Sequence, residues 1–273
     1  MFDRNIEKLS EIYNKHKSFF VRIDDVDDEL YVAYRTDQKK NYISIYCGSV
    51  VFATVGINKI YADGINRIKG AGEFFAGLEN AENKFDYYIE KRQLLKDAIY
   101  DTEFYKRNQE RKRQIKIAKN HGKEKKVCVL DVETAIPSDN GVKNKNPEID
   151  MVVYDSEKNI LYLTEYKCND ITLSGETGVE GHYSDMKKVL ENEELKKAIV
   201  AGQVGIYEML TSKKVDKSKT DVKIAFCFTE LDKVTVNKSL KKIEDNEVAI
   251  WAFPKAESVD FSKDPIPVKD YKI

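Results

Sequence analysis

Proline, histidine, cysteine and tryptophan are all scarce in this 273-residue chain, at five, three, four and one. Each scarcity closes off some chemistry. Cys47, Cys128, Cys168 and Cys227 stand far apart with no pair at zinc-ligand spacing, and three of them fall inside runs that read as strands. They are expected to be small buried hydrophobes in a reducing compartment. His16 and His121 sit in polar stretches and suggest neither a zinc site nor a catalytic triad. Long apolar runs are missing as well, since the least polar segment, "CGSVVFATVGI", is too short to span a bilayer. The opening "MFDRNIEKLSEIYNKHKSFF" mixes charge into every turn, which speaks against a signal peptide. A soluble cytoplasmic protein with no membrane partner is the expectation. No internal repeat is visible, and 46 Lys plus Arg against 47 Asp plus Glu leave a formal charge of −1, which by itself points to no partner. No glycine-rich phosphate loop precedes the acidic "DVE" stretch, which weighs against a nucleotidyl- or phosphotransferase.

What is present divides at about residue 72. Ile6, Leu9, Ile12 and Tyr13 recur at helical spacing, and "FFVRI", "ELYVAYR", "NYISIYC" and "VVFATVG" read as short strands, together an N-terminal α+β module over 1–72. Glycines at 64, 70 and 72 suggest a connection. From Glu73 a stripe of Phe74, Leu78, Phe85, Tyr88, Leu95 and Ile99 predicts one or two long helices, opening a second domain over 73–273. Later come a strand "KVCVLDVETAI", a hairpin "PEIDMVVYDSEKNILYLTEYKC", a glycine-spaced loop "LSGETGVEGHYSDM" and helices through about Thr211. A strand "DVKIAFCFTEL", a short helix and a last strand "EVAIWAFP" complete the pattern. Strands, then helices, then strands predict an α/β fold with a mixed central sheet flanked by helices. Trp251 is expected in strand core.

Charge is unevenly spread. Between Lys106 and Lys126 ten Lys or Arg face only Glu110 and Glu124, a formal net of +8. The block reads either as a solvated helix end or as a phosphate-contacting stripe, with Arg111, Lys112, Arg113, Lys116 and Lys119 as its candidate contacts. His182 follows Gly181 near an expected helix start, where backbone N–H groups attract phosphate, or else forms part of an ordinary cap.

The hairpin places acids where core should continue. With Ser156 to Asn159 as its loop, Asp155 pairs with Ile160, and counting back sets Asp150 opposite Glu165, with Lys167 on the same face. Parity on the preceding strand groups Val127, Val129, Asp131 and Glu133 on one face, apolar first and acidic second. In an antiparallel meander the acidic halves fall at one end. Such carboxylates repel and resist burial. A divalent cation would answer this, because Mg²⁺ takes oxygen ligands such as carboxylates, waters and phosphate oxygens. The lysine would then hold a water or counter charge on a phosphate in transit. In a chain that is 34% charged Glu-x-Lys also occurs at Glu82, Glu110, Glu124 and Glu194, but only Glu165/Lys167 follows an alternating strand with an aspartate opposite. A solvent-facing strand with ordinary cross-strand ion pairs is the competing reading.

These residues resemble the PD-(D/E)XK nuclease superfamily, whose core carries an aspartate on one strand and Glu-x-Lys on the next. Asp150 and the "EYK" of Glu165 and Lys167 match those elements, and Pro147 stands three residues before Asp150 with Ile149 beside it. Gln203 and Tyr207 in "AGQVGIYEML" are similar to the Gln-xxx-Tyr motif of the RecB-like branch, and their spacing puts both on one helical face. The resemblance covers roughly 100–253. It implies a restriction-endonuclease-like core at about 127–253 and an upstream acid, for which Glu133 is the candidate, with Asp131, Glu103 and Glu110 as alternatives.

The expectation that follows is an Mg²⁺- or Mn²⁺-dependent nuclease acting on DNA, with RNA as the alternative substrate, in restriction, repair or defence against mobile elements. Asp150, Glu165 and Glu133 would hold the metal with the Tyr166 carbonyl, Lys167 would act at the water, and Gln203 and Tyr207 would steady the lysine side or a phosphate. The N-terminal module would recognise the target or pair two copies as a homodimer. A non-catalytic binding module that keeps the sheet is the second hypothesis.

Overall fold

The computed structural model describes residues 5–34, 42–61, 68–135, 148–168, 173, 178–245 and 247–271. Pro147, Gly64 and the Gly175 of the glycine-spaced loop lie outside the described residues. The protein is mixed α/β with two sheets, and it divides into two compact units, residues 4–116 and 117–273. Among the described residues no helix is long and apolar enough to cross a membrane.

The N-terminal unit opens with helices α1 (Ile6–Lys15) and α2 (Lys17–Val26). Asn5 caps α1 by accepting the Lys8 N–H at 3.0 Å, and Leu9, Ile12 and Tyr13 form its buried stripe. The "FFVRI" run, expected as a strand, lies inside α2 and buries Phe19, Phe20 and Ile23. So short an apolar run fits either period, and only its packing decides. A four-stranded antiparallel sheet follows, β1 (Leu30–Ala33), β2 (Ile43–Cys47), β3 (Val50–Val55) and β4 (Ile60–Tyr61).

In place of one or two long helices come α3 (Gly72–Asn80), α4 (Lys84–Glu90), α5 (Arg92–Tyr100) and α6 (Glu103–Arg107). The breaks have local causes: the Asn83 side chain accepts the N–H groups of Phe85 and Asp86, and Thr102 accepts that of Tyr105. These helices belong to the N-terminal sheet. Phe74 and Phe52 both meet the Tyr88 ring edge-on, at 5.2 and 5.6 Å, so α3, α4 and β3 share one core. The division therefore falls within α7 (Gln109–Asn120), between Lys116 and Ile117, rather than near residue 72. This unit also buries an ion cluster, in which Lys96 Nζ donates to Asp27 at 2.8 and 2.7 Å and lies 2.7 Å from Glu29 Oε2.

The second unit is built on a six-stranded mixed sheet in the order β10-β9-β8-β7-β6-β5. Its members are β5 (Val127–Ala135), β6 (Glu148–Asp155), β7 (Ile160–Lys167), β8 (Asp221–Thr229), β9 (Ala249–Phe253) and β10 (Ile266–Pro267), the last following the strand expected to be final. β5, β6 and β7 form an antiparallel meander, while β8 runs parallel to both β7 and β9. The parallel step is made through α8 (Val179–Glu191) and α9 (Glu193–Thr211), and α10 (Lys233–Ser239) joins β8 to β9. Val152, Leu163 and Phe226 form one buried cluster with Met186 and Val204 of these helices, each side chain contributing about 1.5–3 kcal/mol of burial.

The opposite face is closed by aromatics, with Trp251 5.0 Å from Tyr162 and 4.8 Å from Phe261, and the His121 ring tilted against Phe261 at 4.9 Å. His121 is buried although its neighbours in sequence are polar. Its Nδ1 lies 2.9 Å from the Ile117 carbonyl and its Nε2 accepts the Phe261 N–H at 3.3 Å, which assigns a neutral ring. Burial holds its pKa below the ordinary value, only partly opposed by the Ile117 hydrogen bond. The unfolded chain therefore takes up a proton that the folded ring refuses, and stability falls as pH drops through about 6.5. His121→Gln should flatten that part of the stability curve between pH 7 and 5, read by urea titration at each pH; a slope equal to wild type would show that the ring is not held neutral.

Candidate active site

The hairpin registers as counted: Asp155 pairs with Ile160, Tyr154 with Leu161 and Met151 with Thr164. One step further sets Asp150 across from Glu165, and the Asp150 Oδ2 accepts the Tyr166 N–H at 2.8 Å. Strand β5 does not follow simple parity. Val127 and Val129 pair with Asp155 and Val153, whereas Asp131 pairs with Val152, so the ladder takes in an extra residue at Leu130. A bulge of this kind flips every later side chain. Val127 and Val129 thus lie on the face opposite to Asp131, and the parity that grouped them fails. Glu133, between the pairs Val132–Met151 and Thr134–Ile149, falls across from Asp150, with a backbone φ of 55°.

The bulge brings the β5 acids to the hairpin's acidic side, but it does not make them equivalent. Asp131 is fully buried and spends its oxygens on its own strand, accepting from the Val132 N–H at 2.9 Å and the Thr134 hydroxyl at 2.6 Å. That closure is structural. Glu103, exposed on α6, pairs with Arg107 at 3.5 Å.

At the centre is Glu165, 1% exposed, with Lys167 at 4%. Lys167 Nζ lies 2.7 Å from Glu165 Oε1, and His182 Nε2, from the first turns of α8, lies 3.0 Å from the same oxygen. Among the described residues Glu165 Oε2 is buried with no hydrogen-bond partner. Burial, and then the Asp150 charge, push the Glu165 carboxyl well above the ordinary carboxylate range, with Lys167 opposing. When Glu165 is ionised, a buried oxygen without a donor carries a cost of about 1–3 kcal/mol, which either retention of a proton or a bound cation relieves. Two carboxylates, one with an open buried oxygen, are donors of the kind a hard divalent ion accepts. Among the described residues, however, no three His, Cys, Asp or Glu side chains are gathered closely enough to hold a metal. The assembled pair is Asp150 and Glu165, and Glu133 does not close a three-membered group with them.

Other expected contributors are placed differently. Tyr207 meets Tyr154 edge-on at 5.0 Å, and Tyr154 pairs with Leu161, four residues or about 13 Å along β7 from Glu165. It packs the apolar half and cannot steady Lys167. Gln203 is 0% exposed, and neither atom of its amide has a hydrogen-bond partner among the described residues. The Tyr166 hydroxyl is hydrogen-bonded to the Thr229 hydroxyl at 2.7 Å, and either group can be the donor. The basic block is split between the units. Lys119 belongs to the second, while Arg111, Lys112, Arg113 and Lys116 belong to the N-terminal one. There Arg111 lies over Tyr46 at 5.2 Å and Lys112 over Tyr105 at 3.6 Å. Lys112 and Lys116 line a cavity of about 350 Å³ together with Asp28 and Glu29, so these cations stand among acids, not on a purely basic stripe.

Sequence reasoning missed the contact between His182 and Glu165, because the two residues lie far apart in sequence and no local pattern links a strand to a later helix. It also missed the bulge, which leaves no mark in composition. Compared with family models, with curated proteins and with solved structures, the chain matches none.

Proposed function

We propose that the chain is a metal-dependent nuclease with a restriction-endonuclease-like core of the PD-(D/E)XK type, hydrolysing phosphodiester bonds in DNA. The observation that carries this reading is the Glu165 carboxyl group, buried beside Asp150, held on one oxygen by Lys167 and with its other oxygen unpartnered among the described residues. Asp150 and Glu165 would hold Mg²⁺ or Mn²⁺ with the Tyr166 carbonyl and waters, Glu133 standing outside that group, and the ion would supply Lewis-acid polarisation of the phosphate and acidify water.

The chain's own groups do the rest. Lys167 supplies an ammonium at the site, and in so dry a setting its donor strengthens toward any oxygen on which charge develops. It orients a water or offsets charge on the departing phosphate oxygen. Asp150 is kept in place by the Tyr166 N–H, so it need not reorganise when substrate arrives. The N-terminal unit would select the target or pair two copies.

The test is cleavage of linear and circular, single- and double-stranded DNA, with RNA alongside, using Mg²⁺ or Mn²⁺ with and without chelator. Wild type should cut only with metal, and Lys167→Ala should lose about 10²-fold in rate while still binding DNA. Cutting in chelator, or a Lys167→Ala protein as active as wild type, would sink the reading. DNA binding indifferent to chelator with no cleavage would instead favour a non-catalytic binding module.

A further inference from the structure

We infer that His182 is a positioning residue for Glu165, fixing the carboxylate so that Oε2 is the oxygen offered to a divalent cation. This rests on the nuclease reading above. Glu165 has two oxygens and the structure uses them unequally: Oε1 meets Lys167 Nζ at 2.7 Å and His182 Nε2 at 3.0 Å, while Oε2 is buried without a partner among the described residues. Lys167 is two residues away on the same strand and reaches by a flexible stem, so it cannot define the plane of the carboxylate alone. A second donor from another element can.

His182 is suited to that task by its mounting. Helix α8 is anchored by Val179, Met186 and Val189, all buried, and near its start the His182 N–H donates to the Gly178 carbonyl at 3.1 Å. Glu180, in the same first turn, pairs with Lys242 at 2.7 Å, tying the helix start to the segment after α10. The ring therefore sits on a fixed support, with a quarter of its side chain exposed. Its sequence position suggests a phosphate contact, but in the folded protein the imidazole faces a carboxylate. With the proton on Nε2 it donates to Glu165, the arrangement by which outer groups orient metal-holding side chains.

The experiment is Mn²⁺ titration of the full chain without nucleic acid, read by free-Mn²⁺ electron paramagnetic resonance. Wild type is compared with His182→Ala, His182→Gln and Asp150→Asn. His182→Ala should bind Mn²⁺ about tenfold or more weakly, and His182→Gln, which keeps an N–H donor at similar reach, within about threefold of wild type. The Mn²⁺ concentration for half-maximal cleavage should shift by the same factor, with little change in rate at saturation. If the alanine protein does not fold, by circular dichroism, His182→Phe takes its place, keeping the ring without its nitrogens. Wild-type Mn²⁺ affinity in His182→Ala overturns the inference, as does weakened DNA binding with metal affinity intact, which would make the ring a phosphate contact. If wild type itself binds no Mn²⁺, or Asp150→Asn binds it equally well, the nuclease reading has failed and the inference falls with it.

Discussion

Asp150→Asn should abolish metal-dependent cleavage and at the same time make the chelated protein more stable. The loss of activity follows from removing one of the two gathered carboxylates: a metal's stabilisation of transition-state charge is worth several kcal/mol, and about 4 kcal/mol is a factor of about 10³ in rate. The gain follows from what the carboxylate does when no cation is present. Asp150 raises the Glu165 pKa further than burial does alone, so the native state retains a proton that the unfolded chain releases. Stability then falls as pH rises from the ordinary glutamate value, about 4.3, through the raised one. Asparagine keeps an oxygen for the Tyr166 N–H and turns an N–H donor toward Glu165 where a like charge stood. The variant should therefore match wild type near pH 4.5 and exceed it increasingly toward pH 8, by on the order of 1 kcal/mol, or about 2–4 °C in melting temperature. Adding Mn²⁺ should reverse the order, because only wild type gains from binding. Thermal melts across pH, with chelator and with Mn²⁺, check all of this. An asparagine protein that melts below wild type at pH 8 in chelator would show that the two carboxylates do not oppose each other.

Lys96→Met should cost the N-terminal unit about 3–5 kcal/mol, the penalty for leaving a buried ion uncompensated. Lys96 is 5% exposed and Asp27 8%, and burial alone would lower the lysine's pKa. Its hydrogen bonds to Asp27 and Glu29 outweigh that and hold it well above the ordinary value. With the ammonium gone, Asp27 retains the Glu29 N–H at 3.0 Å and the more distant Arg92 Nε at 3.7 Å. Asp27→Asn together with Lys96→Met should recover most of the loss, since a neutral amide still accepts the Glu29 N–H now bonded at 3.0 Å. Urea denaturation of the full chain for wild type, both single variants and the double variant closes the cycle. Equal losses in Lys96→Met and the double variant would mean that the missing side-chain packing, not the stranded charge, sets the cost.

The hairpin was legible because its turn and its period-two alternation fix the register locally, and Asp150 opposite Glu165 follows from counting alone. The two-sheet α/β pattern was legible for similar reasons. Strand β5 was not, since the extra residue at Leu130 is permitted by the ladder without being announced by any residue type. Helix α2 was misread because Phe19, Phe20 and Ile23 satisfy both periods over so few residues. Tyr207 and Gln203 share a helical face as their spacing requires, but spacing says nothing of how far along a strand that face lands, and Tyr207 landed on Tyr154. The fate of the basic block depends on where the chain divides into units, which rests on the packing of α3 and α4 against β3 and lies beyond a single segment's reading.

The irregularity in β5 also bears on association between copies. Among the described residues β5 is an outer strand of its sheet, with β10 at the other margin. An outer strand that is long and flat invites a second chain to dock its backbone alongside and so seeds aggregates. Here the inserted Leu130 and the left-handed φ of Glu133 interrupt the row of N–H and C=O groups, while β10 is two residues long and one of them is Pro267. Both margins of the sheet are thereby poor templates for strand addition, and the same distortion that carries acids toward Asp150 keeps neighbouring molecules from zipping onto the protein.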